Sequence, residues 1–158
     1  MVNPVTITEF RAKAGPFFDM AIHDHQPLVI QRGATDRGLL LGEAEAIAVL
    51  GDRRFNPEVM RSQGSVSVWL PEFAVYGEGS SYAEAKEDLL SEVRLYVDEY
   101  LDDTRAYMAA PNRAAHLPYV LKAHLADVRG QLAETIFPAP PAAASTRTPL
   151  VLGTPAVP

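Results

Sequence analysis

The sequence predicts an α+β fold in which the strands form two separate clusters. The first observation is that short runs rich in β-branched and apolar residues occur near the N-terminus and again just after residue 64. The second is that each cluster is followed by the three- and four-residue apolar spacing of an amphipathic helix. At 158 residues, the chain has room for one ordinary domain or two very small ones. We therefore divide it into units at 1–52, 65–110 and 111–137, a linker at 53–64 and a tail at 138–158.

The first unit begins with Val5-Thr6-Ile7-Thr8, whose alternation predicts a strand. Thr8 is placed to cap the helix that follows, because its hydroxyl can accept from a backbone N–H in the first turn. Gly15-Pro16 predicts a kink or break, since proline removes a donor and crowds the preceding turn. The apolar stripe of this helix is Phe10, Ala14, Phe17, Phe18, Ala21 and Ile22.

The rest of the first unit predicts a hairpin and a second helix. Leu28–Gln31 and Gly38–Leu41 are apolar runs on either side of a basic turn, which is typical of two paired strands. Glu43–Leu50 has a helical pattern, and Gly51 is a plausible stop.

These motifs resemble the N-terminal domain of the Phd/YefM antitoxins. The matching features are the T-E-F-R helix entry, the P-L-V-I-Q-R central strand, the basic turn and the L-L-L strand, within the first third of the chain. The resemblance implies a domain that dimerises and binds the operator of its own toxin–antitoxin operon.

In this resemblance, Arg11 falls at a basic position early in the first helix, and Arg32 at the basic position that ends the central strand. The expected DNA-binding residues are Thr6, Thr8, Arg11, Lys13, Arg32 and Arg37. From Met1 to Arg54 there are six basic and seven acidic residues, so DNA binding requires the cations to cluster on one face and a dimer to double them. The alternative is that they are ordinary surface cations.

After the predicted linker, Ser65–Leu70 alternates as a strand and Phe73–Gly79 predicts a second one. Ser81 and Glu84 form a capping box that opens a long helix. The apolar stripe of that helix is Ala85, Leu89, Val93, Tyr96, Val97, Tyr100 and Leu101.

This second unit resembles the HicB antitoxin domain between Val66 and about Asp103. The matching motifs are Leu70-Pro71-Glu72-Phe73, Gly77-x-Gly79 and Ala83-Glu84-Ala85. The resemblance implies a partial RNase-H-like fold that binds and blocks a toxin and assembles oligomers. The sequence shows no strand before Ser65 and no clear strand after the helix, so we expect a truncated sheet or one completed by another chain.

Pro111 is expected to break the long helix, and 115–137 predicts one further helix. Its apolar side is the expected toxin-binding surface, although burial on the middle unit or in a dimer are open alternatives. The residues of that side are Leu117, Val120, Leu121, Leu125, Val128, Leu132 and Ile136. The tail from Pro138 holds six of the thirteen prolines and is expected to be disordered, or to become ordered on a partner through Pro149–Leu152.

Few features of the sequence indicate catalysis, cofactor binding or metal binding. There is no cysteine, P-loop or dinucleotide glycine pattern, and His23-Asp24-His25 lacks a third ligand, so we expect no metal, no cofactor and no enzyme activity. No secretory signal or membrane-length apolar run is visible, so we expect a cytoplasmic protein. The net charge of −6 is concentrated between Ser65 and Arg105, with three basic and ten acidic residues.

Together these features predict an antitoxin that neutralises a cognate protein toxin and represses its own operon as a homodimer or higher homo-oligomer bound to operator DNA. One alternative is a stand-alone transcriptional regulator or oligomeric scaffold with no toxin. The other is a small hydrolase on the RNase-H-like unit, which would depend on a divalent metal and on Glu72 or Glu78.

Overall fold

The structure is a computed structural model that describes residues 4–139, and it confirms the α+β class. The predicted tail lies outside the described residues from position 140 onward. The first part consists of β1 (Val5–Thr6), α1 (Ile7–Ala12), α2 (Ala14–Ile22), β2 (Leu28–Arg32), β3 (Asp36–Leu40) and α3 (Glu43–Leu50). The second part consists of β4 (Glu58–Ser62), β5 (Ser65–Leu70), β6 (Val75–Gly79), α4 (Tyr82–Asp102), α5 (Thr104–Ala109), a 3-10 turn (Ala114–His116), α6 (Leu117–Val128) and α7 (Leu132–Ile136).

The first sheet has the strand order β1-β2-β3, with β1 parallel and β3 antiparallel to β2. The predicted hairpin is confirmed. The first strand is shorter than predicted, because Thr6 rather than Thr8 caps α1. The Thr6 hydroxyl accepts from the backbone N–H of Glu9 at 3.2 Å, and the Glu9 carboxylate accepts from the Thr6 N–H at 3.0 Å. This reciprocal capping box starts the helix two residues earlier than expected.

The predicted break in the first helix occurs at Lys13, just before Gly15-Pro16. Pro16 then lies in the first turn of α2, where a backbone N–H would have no partner within the helix. The proline is therefore accommodated by starting a new helix rather than by kinking a continuous one.

The second sheet has the order β4-β5-β6 and is antiparallel throughout. β4 lies within 53–64, so the prediction of a linker there was wrong, as was the prediction that no strand precedes Ser65. All five side chains of β4 are exposed, and for this reason the segment lacks the apolar alternation that signals a strand. Its pairing with β5 depends on a two-residue turn in which Gly64 has a φ of +79°.

Helix α4 packs on the inner face of this sheet. Val66, Val68 and Leu70 alternate toward it along β5 and are buried. Gly77 allows β6 to approach closely, because a Cβ there would lie 2.2 Å from the backbone nitrogen of Leu89. Ser81 caps α4 as predicted, accepting from the Glu84 N–H at 3.2 Å.

The core lies between this sheet, α4 and the C-terminal helices. Six of the seven predicted stripe residues of α4 are buried, and Leu101 packs partly buried against them. Phe73 is fully buried, with its ring centroid 5.7 Å from that of Phe55 and 5.0 Å from that of Tyr96. The turn before β6 thus contributes as much to the core as the strands do.

One end of α4 carries a hydrogen-bonded polar network. Arg113 donates to the Tyr96 hydroxyl at 3.0 Å, and that hydroxyl is 2.6 Å from Nδ1 of His116. The Tyr100 hydroxyl donates to the carbonyl of Arg113 at 3.1 Å. Burial, followed by the charge of Arg113, lowers the pKa of His116.

The C-terminal segment differs from the single helix predicted over 115–137. It forms α6 and α7, separated at Gly130, whose φ of +68° terminates the first helix. The long helix also ends earlier than Pro111, because α5 intervenes after Asp103. Across residues 4–139, no helix has both the length and the apolar character needed to cross a membrane.

Candidate functional site

The structure brings three of the predicted DNA-binding residues together. Arg11 from α1, Arg32 from the end of β2 and Arg37 from β3 line one shallow depression, whose apolar floor includes Ile7 and Ile30. The parallel pairing of β1 with β2 places the start of α1 beside the hairpin, and thereby places Arg11 near the other two arginines. Residues separated in sequence therefore form one cationic surface, which we call the arginine cluster.

One carboxylate partly neutralises the arginine cluster. Nη2 and Nε of Arg32 donate to the same Asp36 oxygen at 2.9 and 3.3 Å. Both side chains are mostly exposed, so this pair contributes at most about 1 kcal/mol to stability. Three arginines and one aspartate line the depression, and their formal charges sum to +2.

The other three predicted DNA-binding residues lie elsewhere. Thr6 is occupied in the capping box, where its hydroxyl also donates to Glu9 at 2.8 Å. Its backbone N–H and its hydroxyl lower the pKa of Glu9. Thr8 and Lys13 are exposed and do not line the depression. Their role in DNA binding stays a prediction.

The face of the first sheet that carries Val29 and Leu39 is apolar and exposed at those two residues, and strand pairing places Arg37 further along the same face, opposite Gln31. Val29 and Leu39 are cross-strand partners and are 40% and 64% exposed. Phe18 on α2 is also largely exposed. With Val49 on α3, four large apolar side chains are thus exposed to solvent in a unit of about fifty residues.

The predicted toxin-binding surface is only partly available. Val120, Leu132 and Ile136 are fully or almost fully buried in the core, so the prediction that they face a partner was wrong. Their stripe packs against the protein's own α4 and sheet, as the alternative of self-burial predicted. Leu117 packs against the same core.

The remaining toxin-binding candidates are Leu121, Leu125 and Val128. Leu121 and Val128 are exposed, Val128 by 72%. Leu125 is half-buried and lines a groove of about 210 Å³ together with Ile47 and Leu50 of α3. This groove lies where the first unit meets the C-terminal helices.

Lys122 links α6 to the segment that follows α3. Its ammonium donates to the carbonyl of Gly51 at 3.4 Å and to that of Arg53. Burial, and next the charge of Arg54, lower the pKa of Lys122. A cation at the carboxyl end of α3 also interacts favourably with the helix dipole.

Glu72 and His25, two of the residues considered for catalysis or metal binding, have hydrogen-bond partners within the protein. Oε1 of Glu72 accepts from the backbone and side-chain nitrogens of Asn56 at 3.0 and 2.7 Å. Nδ1 of His25 is 2.5 Å from Glu45. Within residues 4–139, no three His, Cys, Asp or Glu side chains are grouped so that they could hold a metal ion.

Sequence reasoning missed a group of side chains on one face of the second sheet, namely Met60 and Tyr76, which are exposed, and Trp69, which is half-buried. The signal was present in the alternation of Ser65–Leu70, which places Trp69 on the side opposite Val66 and Val68.

A crystal structure described as the antitoxin part of a proposed toxin/antitoxin system, from Syntrophomonas wolfei subsp. wolfei, has the same fold, with a TM-score of 0.74. The two chains are 24% identical, and the similarity covers 85% of this chain and 96% of that one. Comparison with curated protein sequences gives no match. The model of the PHD-like family, described as "Antitoxin of toxin-antitoxin, RelE / RelB, TA system", matches residues 1–137. The chain therefore belongs to this family of toxin–antitoxin antitoxins.

Proposed function

We propose that this antitoxin binds operator DNA through the arginine cluster and neutralises a protein toxin with the second half of the chain. The observation that carries the DNA-binding half is the convergence of Arg11, Arg32 and Arg37 on one exposed depression. Guanidinium groups suit phosphate oxygens, because their planar donors can form paired hydrogen bonds. We propose that it does so in the cytoplasm as a non-enzymatic repressor of its own operon.

A homodimer would double the arginine cluster to six guanidinium groups. We propose that Phe18, Val29 and Leu39 form the dimer interface, since pairing two copies would remove these exposed apolar side chains from water. The carboxylate of Asp36 would be displaced from Arg32 by a phosphate, because the existing pair is exposed and weak.

For toxin binding, the surface derived from the sequence is reduced to Leu121, Leu125 and Val128, which stay a prediction. Membership of the antitoxin family supports a toxin partner. It also favours the antitoxin function over a stand-alone regulator or scaffold, which would have no toxin to bind.

The DNA-binding proposal is tested by fluorescence anisotropy with the duplex upstream of the chain's own gene. Arg11→Ala is expected to weaken binding on the order of a hundredfold, since each dimer loses two charge-assisted contacts. The slope of log K against log salt should fall by about 1.8, from about 0.9 for each of two phosphate contacts.

Arg105→Ala is the matched control, because Arg105 is equally exposed but lies on α5, away from the arginine cluster. It should leave both the affinity and the salt slope close to those of the wild type. Equal losses in the two variants would mean that the arginine cluster has no special role. An unchanged affinity in Arg11→Ala would remove Arg11 from the interface.

A further inference from the structure

The second sheet has an outer face that is turned away from α4. Cross-strand pairing places Met60 opposite Ser67, and places Trp69 between Glu58 on β4 and Tyr76 on β6. Paired residues share a face of a sheet, so these side chains form one continuous surface. We call the group of Met60, Trp69 and Tyr76 the aromatic patch.

The aromatic patch is open to solvent. Met60 is 54% exposed and Tyr76 is 53% exposed, with Trp69 half-buried between them. The inner face differs completely, since Val66 and Val68 are buried under α4. Tryptophan, tyrosine and methionine are the side chains that are enriched at protein interfaces, so the patch has the composition of a binding surface.

The charged side chains that the three strands place on the outer face are both acidic. Glu58 and Glu78 are the charged side chains on the outer face of the three strands, whereas Arg61 pairs with Val66 on the inner face. The backbone N–H of Glu78 donates to Asp88 at 2.8 Å, which brings an α4 carboxylate to the same edge. Glu78, Asp88 and their α4 neighbours Glu84 and Glu87 line one shallow surface there.

This charge pattern indicates which kind of molecule can bind to the aromatic patch. A second copy would oppose carboxylates to carboxylates, and like charges across an interface cost several kcal/mol. Nucleic acid phosphates would be repelled in the same way. A surface rich in lysine and arginine would pair with the acidic rim and stack on the faces of Trp69 and Tyr76.

We propose that the aromatic patch and its acidic rim form the docking surface for a cationic face of the toxin. The inference rests on the proposed antitoxin function, and it places the toxin on the outer face of the second sheet rather than on what remains exposed of α6. Glu58 and Glu78 steer the toxin to the face, and the aromatic patch is desolvated on binding.

Trp69 allows a direct test, because it is the chain's single tryptophan. Purified cognate toxin is titrated into the full-length antitoxin, with binding measured by calorimetry and Trp69 emission recorded in parallel, using a tryptophan-free toxin variant. Binding should shift the Trp69 emission. The double variant Met60→Ser/Tyr76→Ser should weaken binding at least about tenfold, as expected for a desolvated aromatic contact.

The matched control is Val49→Ser/Leu95→Ser, which removes two exposed apolar side chains from α3 and α4 instead. It is expected to bind toxin within about twofold of the wild type. Glu58→Gln/Glu78→Gln should mainly slow association and flatten its salt dependence, since rim charges act on the encounter.

The proposal is overturned if calorimetry shows binding while Trp69 emission stays constant, or if Met60→Ser/Tyr76→Ser binds as the wild type does. A Trp69 shift that grows with antitoxin concentration in the absence of toxin would also overturn it, in favour of a second copy. If wild-type antitoxin does not bind the toxin at all, the proposed neutralising function itself fails.

Discussion

The two halves of this protein differ in how much of their apolar surface they bury for themselves. In the described part of the first unit, the buried apolar side chains are Ala21 and Leu28. From Phe55 onward, sixteen buried residues form one continuous core. The second half therefore has the core of an independent domain, whereas the first unit leaves Phe18, Val29 and Leu39 exposed.

This difference supports the proposed division of functions between the two halves. A unit with so little internal burial gains stability from what it binds, because a ligand or partner that binds only the folded state shifts the folding equilibrium. The proposed dimerisation and operator binding would then be coupled to the folding of the first unit. The second half needs no such help and can present a fixed surface to a toxin.

The largest expected effect comes from the core of the second half. Phe73→Ala should lower the free energy of unfolding by about 3–5 kcal/mol, since a fully buried aromatic side chain is replaced by a cavity. Phe18→Ala removes the same atoms from an exposed site and should change it by less than about 0.5 kcal/mol at low protein concentration. Urea unfolding of both variants measures the comparison.

Similar losses of unfolding free energy in the two variants would contradict the difference in burial between the two halves, because Phe18 would then be as well packed as Phe73. A loss in Phe18→Ala that grows with protein concentration would instead locate that side chain in the dimer interface, as proposed.

Much of the fold could be predicted from periodicity. The α4 stripe, its Ser81 cap and the β2–β3 hairpin follow local patterns that tertiary packing did not override. β4 could not be predicted, because its exposed side chains carry no alternation and its pairing with β5 supplies the order. The break between α6 and α7 at Gly130 is also a local feature of the sequence. The apolar stripe that continues across 115–137 nevertheless led to the prediction of a single helix.

The candidate sites were less predictable for a physical reason. An amphipathic stripe shows that Val120 and Ile136 are buried, but it does not show whether the protein's own core or a partner covers them. The aromatic patch was visible as the alternation around Trp69, yet which side of that strand α4 covers is decided by the close approach at Gly77. The arginine cluster was found through family resemblance, since net charge alone does not show clustering.

A smaller loss of folding stability is expected when the pH is lowered, and it should arise in the second half. Arg113 donates to the Tyr96 hydroxyl, and Nδ1 of a neutral His116 can accept that hydroxyl's own proton at 2.6 Å. The pKa of His116 is lowered in the folded protein, first by burial and then by Arg113. Its stabilising contribution is therefore complete above the unfolded pKa of about 6.5 and is lost as the pH falls toward the folded value.

The measurement is urea unfolding at several pH values between 8 and 5 for the wild type and His116→Asn. The wild type should lose stability more steeply below about pH 6.5 than the variant, which lacks the titrating group. His124→Asn removes an exposed histidine from α6 and should follow the wild-type profile. Parallel curves for the wild type and His116→Asn would show that this network does not sense protons.

The smallest effect compares the same capping device in the two halves. Thr6→Ala and Ser81→Ala each remove a hydroxyl that accepts from a backbone N–H, a loss of about 1 kcal/mol. In Ser81→Ala the loss should appear in global unfolding, because α4 is the centre of the large core. In Thr6→Ala it should appear as faster hydrogen exchange in α1 alone. Ser91→Ala, a hydroxyl within α4 that caps nothing, serves as the control. Equal losses of global unfolding free energy in Thr6→Ala and Ser81→Ala would mean that the two halves unfold as one cooperative unit. The difference in burial between the halves would then not make them unfold separately.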